Sequence, residues 1–300
     1  MTLTLAEAES SVLGVAHTRP GFDVPAGASD CHVHVFGPFD RFPLFPGRLY
    51  TPGQAALPDL LTRQRALGLD RVVVVQPSPY GADNSCMIDA LRRLGPRARG
   101  VAVVEPSAPA RTLSGLNEAG VRGIRINLET GGVTDPEVAR SRLAEAAEQA
   151  APLGWHIQLY ADLAVIASLH DAVCDLPVPI VLDHFAKARA ALGPNQPGLD
   201  SVLSLMRRGK AYVKLSAPRR ISDRADCRDA GVIAQTLIRA HPAQILWGSD
   251  WPHPDAGRSH ADPFHPDDDG LALNRLHAWA GSAGLTRRIL VDNPARLYGF

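Results

Sequence analysis

With 300 residues and 31 Lys plus Arg against 31 Asp plus Glu, the chain has no formal net charge when His is neutral. That balance speaks against nucleic acid or an anionic membrane as the main partner. Hydrophobic residues at 45% and charged residues at 21% suit a globular protein with a sizeable core and exclude fibrous and disordered classes.

The chain begins without the basic start and apolar core of a secretory signal. Residues 1–28 read as an N-terminal arm covering one end of the domain, and 29–300 as a single domain. Short apolar runs predict strands at 29–36, 71–76, 100–105, 123–127, 156–160, 180–184, 211–216 and 245–250. Most are apolar on both faces, as strands buried in a parallel sheet are. Amphipathic stretches predict helices at 58–67, 84–94, 111–119, 135–151, 162–173, 199–208, 228–240 and 271–280, with a helical tail at 286–297. Helix 135–151 has the clearest punctuation: Asp135 as cap, Pro136 in the first turn, Pro152 and Gly154 beyond its end. Eight strand–helix pairs in about 250 residues predict a (β/α)8 TIM barrel of the α/β class. A doubly wound sheet would show fewer strands and a glycine fingerprint after the first, and neither is present.

The wholly apolar runs, such as 72–75, are far too short to span a bilayer. Four widely spaced cysteines, Cys31, Cys86, Cys174 and Cys227, form neither a disulfide scaffold nor a CxxC pair. A cytoplasmic location is therefore expected, and no membrane or nucleic-acid partner.

A barrel of this kind collects its chemistry where strands end and the following loops begin. The first strand ends on His32 and His34, two residues apart and so on one face. Such a pair suits metal ligation, or a hydrogen-bonding floor beneath an anionic oxygen. The sixth strand ends at Asp183-His184 and the eighth at Ser249-Asp250. Closure of a barrel brings the last strand beside the first, placing Asp250 next to His32 and His34, where it can accept a proton from water. Gln76, Ser78, Arg125, Asn127, His156, Gln158, Tyr160, Lys214, Ser216, Arg219 and Arg220 are further polar groups on or just after strands. Arginines at a barrel mouth bind carboxylates bidentately. His17, His170, His241 and His277 fall on the arm or on helices and read as surface or packing residues.

In these motifs the chain resembles the amidohydrolase superfamily. They are DCHVHVFGPFDRFP at 30–43, YTP at 50–52, GIRIN at 123–127, LDHF at 182–185, WGSDWPHP at 247–254 and the closing VDNPARLYGF. Within that superfamily it resembles the lactonase branch that includes the 2-pyrone-4,6-dicarboxylate lactonases. The resemblance implies a TIM-barrel hydrolase that opens a small anionic lactone, such as the pyrone dicarboxylate or a muconolactone, in aromatic-acid catabolism. By the same resemblance His32, His34 and His184 stabilise the oxyanion and Asp250 activates water. Tyr50, Ser78, Arg125, Tyr160, Arg220 and His253 line the substrate pocket. Metal-using relatives often carry a carboxylated lysine on strand four or a histidine on strand five, where this chain has Arg125 and, nearest the mouth, Tyr160. The expectation is that no divalent cation is required; one zinc or manganese ion held by His32, His34 and Asp250 is the alternative. The lactonase family also places a basic residue in the loop after strand four. Here that loop, 128–132, is small and acidic, with Arg219 or Lys214 as candidate replacements. A zinc-dependent amidohydrolase acting on another lactone or an amide, and an aromatic-acid decarboxylase, are the alternative activities.

Overall fold

The computed structural model describes residues 17–255, 261–262 and 264–300. Eight parallel strands form one sheet in chain order: β1 (Ser29–Val33), β2 (Arg71–Val75), β3 (Ala98–Ala102), β4 (Val121–Asn127), β5 (His156–Tyr160), β6 (Ile180–Leu182), β7 (Ala211–Leu215) and β8 (Ile245–Trp247). A parallel bridge between Val33 and Trp251 brings the last strand back to the first. The predicted (β/α)8 barrel is the observed architecture. Along β2, Val73 and Val75 point into the barrel, whereas Val72 and Val74 pack on the surrounding helices. Both faces are buried, so the run contains no polar alternation.

The helices are α1 (Leu57–Leu67), α2 (Ser85–Leu94), α3 (Ala110–Glu118), α4 (Pro136–Ala150), α5 (Leu163–Ser168), α6 (His170–Asp175), α7 (Leu199–Arg207), α8 (Ala230–Ala240), α9 (Asp269–Ala280), α10 (Ala283–Arg287) and α11 (Asn293–Tyr298). None of the described helices is long and apolar enough to cross a membrane. The Asp135 carboxylate accepts the Glu137 amide and starts α4 as expected. Several boundaries differ from expectation: the strands expected at 29–36, 180–184 and 245–250 end earlier, at Val33, Leu182 and Trp247, and the one expected from 123 starts at Val121. The third strand lies at 98–102, because the Asn84 side chain takes both the N–H and the carbonyl of Val103 and ends the ladder there. The stretch 162–173 is two helices, broken at Leu169, whose φ and ψ are −90° and 2°. The tail has a π-helical segment, Arg288–Asp292, between α10 and α11.

Residues 1–16 of the expected arm lie outside the described residues. From residue 17 the chain lies along α9. The Thr18 amide donates to Asp268, the Gly21 amide donates to Asn274, and Phe22 stacks on His277 with ring centroids 4.4 Å apart.

Closure requires a glycine at position 248. A Cβ there would sit 2.6 Å from the His32 Cβ and 2.9 Å from the His32 backbone nitrogen. Gly248→Ala is expected to cost about 1–3 kcal/mol by overpacking. Turnover should fall further than this stability loss explains, because relief of the clash moves His32 relative to Asp250. Denaturant unfolding beside kcat checks this; unchanged values for both would show that β1 absorbs the methyl group freely.

Candidate active site

The loop after β8 turns at once. Asp250 takes a φ of 71°, in the left-handed region, while its amide donates to the His32 carbonyl at 2.9 Å. Such a conformation in a non-glycine residue costs of the order of 1–3 kcal/mol and persists where the surroundings impose it. It turns the two oxygens of the buried carboxylate toward different neighbours. Oδ2 accepts from Arg220 Nε at 3.1 Å and Nη2 at 3.0 Å, and from Arg219 Nη2 at 3.3 Å. Oδ1 faces three imidazoles: His32 Nε2 and His34 Nε2 at 3.6 Å each, and His184 Nε2 at 3.9 Å. Ion pairing therefore occupies one oxygen, and the other faces the histidines.

The far nitrogens of these rings decide what each offers. His34 Nδ1 lies 2.8 Å from the Val75 carbonyl, which can only accept. The proton of neutral His34 is thus on Nδ1, and Nε2 presents a lone pair. His184 Nδ1 meets the Ser216 hydroxyl at 2.9 Å; a hydroxyl can donate, which leaves His184 Nε2 free to carry the proton. His32 Nδ1 is 3.3 Å from both Asp183 Oδ1 and Lys214 Nζ, so it can adopt either tautomer.

Burial first, then the Lys214 charge, pushes the His32 pKa down to about 4. Burial likewise lowers His34 and holds His184 well below the ordinary histidine value, against the raising effect of Asp250. For Asp250, burial alone would raise the pKa; Arg220 and the imidazoles of His184, His34 and His32 outweigh it and hold the carboxyl well below the carboxylate range. The set at neutral pH is therefore one carboxylate and three neutral imidazoles.

A lone pair on His34 Nε2 facing a carboxylate oxygen calls for a proton donor or a cation between them. His32 Nε2, buried and without a hydrogen-bond partner, borders the same space. A water molecule placed there would donate to two of these acceptors. The donor set, two imidazoles and a carboxylate with ligand atoms within 4.8 Å of one another, also fits a single divalent cation.

Beneath this layer the barrel interior is polar. Lys214, fully buried, donates to Gln158 at 2.6 Å, and Gln158 donates to Asp183 at 3.1 Å. Lys214 thus lies below His32 within the barrel and does not supply the basic group expected at the mouth, because its inward position on β7 directs it to Asp183. His156, at the start of β5, lies at the opposite end from the mouth, edge-on to Tyr298 with centroids 5.2 Å apart. Burial and then the Lys214 charge bring its pKa down to about 3 from 6.5. Between those values the unfolded chain binds a proton that the folded one does not, so stability falls as the pH drops below 6.5. The His156 contribution is about 3 kcal/mol at pH 4. His156→Gln is expected to flatten the fall in Tm between pH 6 and pH 4 relative to wild type; parallel curves would remove His156 as a cause.

The remaining candidates are held as follows. Arg125, buried, donates from Nη1 to the Gln76 carbonyl at 2.8 Å and leaves Nε without a partner. Tyr160 stands edge-on to His184, centroids 4.9 Å apart, with its hydroxyl 3.5 Å from Arg220 Nη1. Tyr50 is buried, and its hydroxyl is among the groups acting on the charge of Arg220. Ser78 and Asn127 brace each other at 2.8 Å. His253 Nε2 is 3.2 Å from Asp269 Oδ1, so His253 is fastened to α9. Arg219, the other candidate for the mouth, is shared among Asp250, Asp255 and Asp267.

Sequence reading passed over four contributors. Asp183 touches His32 from behind, and its place in the LDHF motif was the available signal. Glu129 stood out only as the acid of the 128–132 loop, and Arg63 and Lys187 carried no signal, since each is defined by a partner distant in the chain.

Histidines from β1 and a histidine after β6 converge on an aspartate after β8, an arrangement compatible with an amidohydrolase-type site. The amidohydrolase family model matches residues 29–300, and the chain belongs to that family. It is 37% identical over 94% of its length, and 93% of the relative's, to the 2-pyrone-4,6-dicarboxylate hydrolase of Comamonas testosteroni. It is 36% identical to the 4-sulfomuconolactone hydrolase of Rhizobium radiobacter, over 93% of this chain and 92% of that one. Among solved structures, a Pseudomonas putida protein assigned as a 2-pyrone-4,6-dicarboxylic acid hydrolase superposes with a TM-score of 0.78 at 31% identity, covering 91% of this chain and 97% of that one.

Proposed function

We propose that this amidohydrolase opens a small anionic lactone of the class named for its relatives, a pyrone dicarboxylate or a sulfonated muconolactone, in the breakdown of aromatic acids. The observation that carries this reading is the division of labour at Asp250: Oδ2 is held by arginines while Oδ1 faces three imidazoles. A water donating to Oδ1 and to His34 Nε2 is held with its oxygen lone pair free. It attacks the lactone carbonyl as Asp250 takes its proton. The carbonyl electrons move onto oxygen, where the His184 Nε2 proton, supported from behind by Ser216, and a suitably protonated His32 donate to the oxyanion. The ring C–O bond then breaks, and the departing ring oxygen receives the proton from Asp250. Arg125, with its unpartnered Nε, and Arg220 Nη1 bind a substrate carboxylate. Tyr50, Tyr160, Ser78 and His253 shape the walls.

His32, His34 and Asp250 are the residues that would hold a divalent cation, and such an ion when bound would lower the pKa of a water and polarise a carbonyl. Chelation with metal content measured on the same sample distinguishes the two uses of these atoms. Activity that survives leaves them as hydrogen-bonding groups, and activity restored only by added zinc or manganese makes them ligands. We further place the enzyme in a reducing cytoplasm; its four cysteines are free thiols, three of them buried.

Mass spectrometry of the product tests the reaction. Ring opening in ¹⁸O water gives a product heavier than the substrate by one labelled water. Loss of carbon dioxide would replace the lactonase reading by a decarboxylase. Arg125→Met is expected to raise KM for an anionic lactone about 10- to 100-fold, the value of a charge-assisted hydrogen bond, with little change for a neutral lactone. Equal losses on both would remove Arg125 from anion binding.

A further inference from the structure

After β6 the backbone takes an unusual path. His184, Phe185, Ala186 and Lys187 have φ values of 48°, 57°, 53° and 58°, four consecutive non-glycine residues in the left-handed region. This turn brings Lys187 back to Tyr160, with its Nζ 5.7 Å from the centre of the Tyr160 ring. Arg220 lies 5.9 Å from the same centroid, so two cations approach one aromatic ring beside His184. Lys187 is 2.7 Å from Glu129 Oε1, and the two side chains are only 18% and 28% exposed. Glu129 belongs to the loop after β4, and its amide and that of Leu128 both donate to the Tyr160 carbonyl. That loop is therefore fastened to the same residue.

The other cations of the mouth differ in what they can release. Arg219 and Arg220 are committed to Asp250 and to the Pro254 carbonyl. Withdrawing either would strip a cation from the buried carboxylate on which the proposed chemistry depends. Lys187 faces a carboxylate that sits on a loop near solvent and has no assigned part in the reaction. A substrate carboxylate presents to Lys187 the same chemical group as Glu129, so one can replace the other without leaving the ammonium unpaired.

Resting on the lactonase reading for the identity of the ligand, we propose that Lys187 binds the second anionic group of a dianionic planar lactone, and that Glu129 occupies this subsite until the substrate displaces it. Lys187 then discriminates between dianionic and monoanionic ligands, and Glu129 weakens binding of the former by competing for the same ammonium.

Equilibrium binding tests this without turnover, using benzene-1,3-dicarboxylate and benzoate as probes in calorimetric titrations of wild type, Lys187→Met and Glu129→Gln. The wild type is expected to prefer the dicarboxylate. Lys187→Met should weaken dicarboxylate binding about tenfold, as expected for loss of one ionic hydrogen bond, and leave benzoate within about twofold. Glu129→Gln should tighten dicarboxylate binding several-fold, a gain that a misfolded variant would not show. A wild type without preference, a Lys187→Met variant in which both affinities shift together or neither shifts, or a Glu129→Gln variant that weakens the dicarboxylate each overturns the proposal. If the binding pattern holds while no lactone is opened, the anion subsite stands and the lactonase reading falls.

Discussion

Asp250→Asn is expected to lower kcat by about two to four orders of magnitude with KM for an anionic lactone little changed. Asparagine keeps the shape of the side chain, and an amide oxygen placed as Oδ2 still accepts from Arg220 and Arg219. The substrate cavity is thus kept. At the other position the amide nitrogen donates instead of accepting, so the site loses its proton acceptor and the water loses its orientation together. The pH dependence follows from the same geometry. Asp250 is ionised far below the usual carboxylate range, and His32 stays neutral down to about pH 4. The kcat/KM profile should accordingly show no acid limb near 6.5, the value of an ordinary histidine. Near-normal turnover by the Asn variant on a lactone that the wild type opens would remove Asp250 as the base.

The second large effect concerns stability. Arg63, on α1, is fully buried, with Nη1 2.9 Å from Asp30 Oδ2 and Nε 2.5 Å from Asp269 Oδ2. Asp30 in turn accepts the Ser249 amide and hydroxyl at 2.9 and 2.6 Å, and Asp269 holds His253. One guanidinium thus ties β1, the β8 turn and α9 together from outside the barrel. Burial alone would raise Asp269, and Arg63 followed by His253 reverses this and brings its pKa well below the usual value. Arg63→Met fills a similar volume but takes the guanidinium away from two buried carboxylates, leaving Asp269 only His253, which is expected to cost about 3–5 kcal/mol. For a chain of this size that corresponds to a fall in Tm of roughly 10 °C. Thermal and denaturant unfolding measure it. A loss below about 1 kcal/mol would mean that water or proton uptake compensates the two acids.

Linkage gives this network a direction in pH. Asp269 has its pKa depressed in the folded state, so its stabilising contribution is present above its unfolded value of 3.8 and is lost as the pH falls further. His156 acts over a higher window, from 6.5 down to about 3. Acid therefore first imposes the protonation penalty of the buried histidine and then removes the contribution of the acidic pairs.

The barrel and the residues around Asp250 were legible in the chain because their signals are local. A strand buried on both faces needs a short run of apolar β-branched residues, and Val72 to Val75 supply one without any reference to the rest of the molecule. His32 and His34 share a face because strand geometry alternates every residue. The approach of Asp250 to both follows from closure of any eight-stranded barrel, which the strand count implied. The same local rules could not set the ends of β3, where Asn84, 19 residues away, takes the backbone of Val103. Nor could they show which oxygen of Asp250 is left unpaired by arginine, since that depends on the fork of Arg220 reaching back from the β7 loop. Arg63 meets Asp269 across 206 residues, and Lys187 meets Glu129 only because four residues turn left-handed after β6. Sequence periodicity specifies which face of an element is buried, whereas a charge acquires its role from the partner that tertiary packing sets within a few ångströms, and only the folded barrel decided those partners.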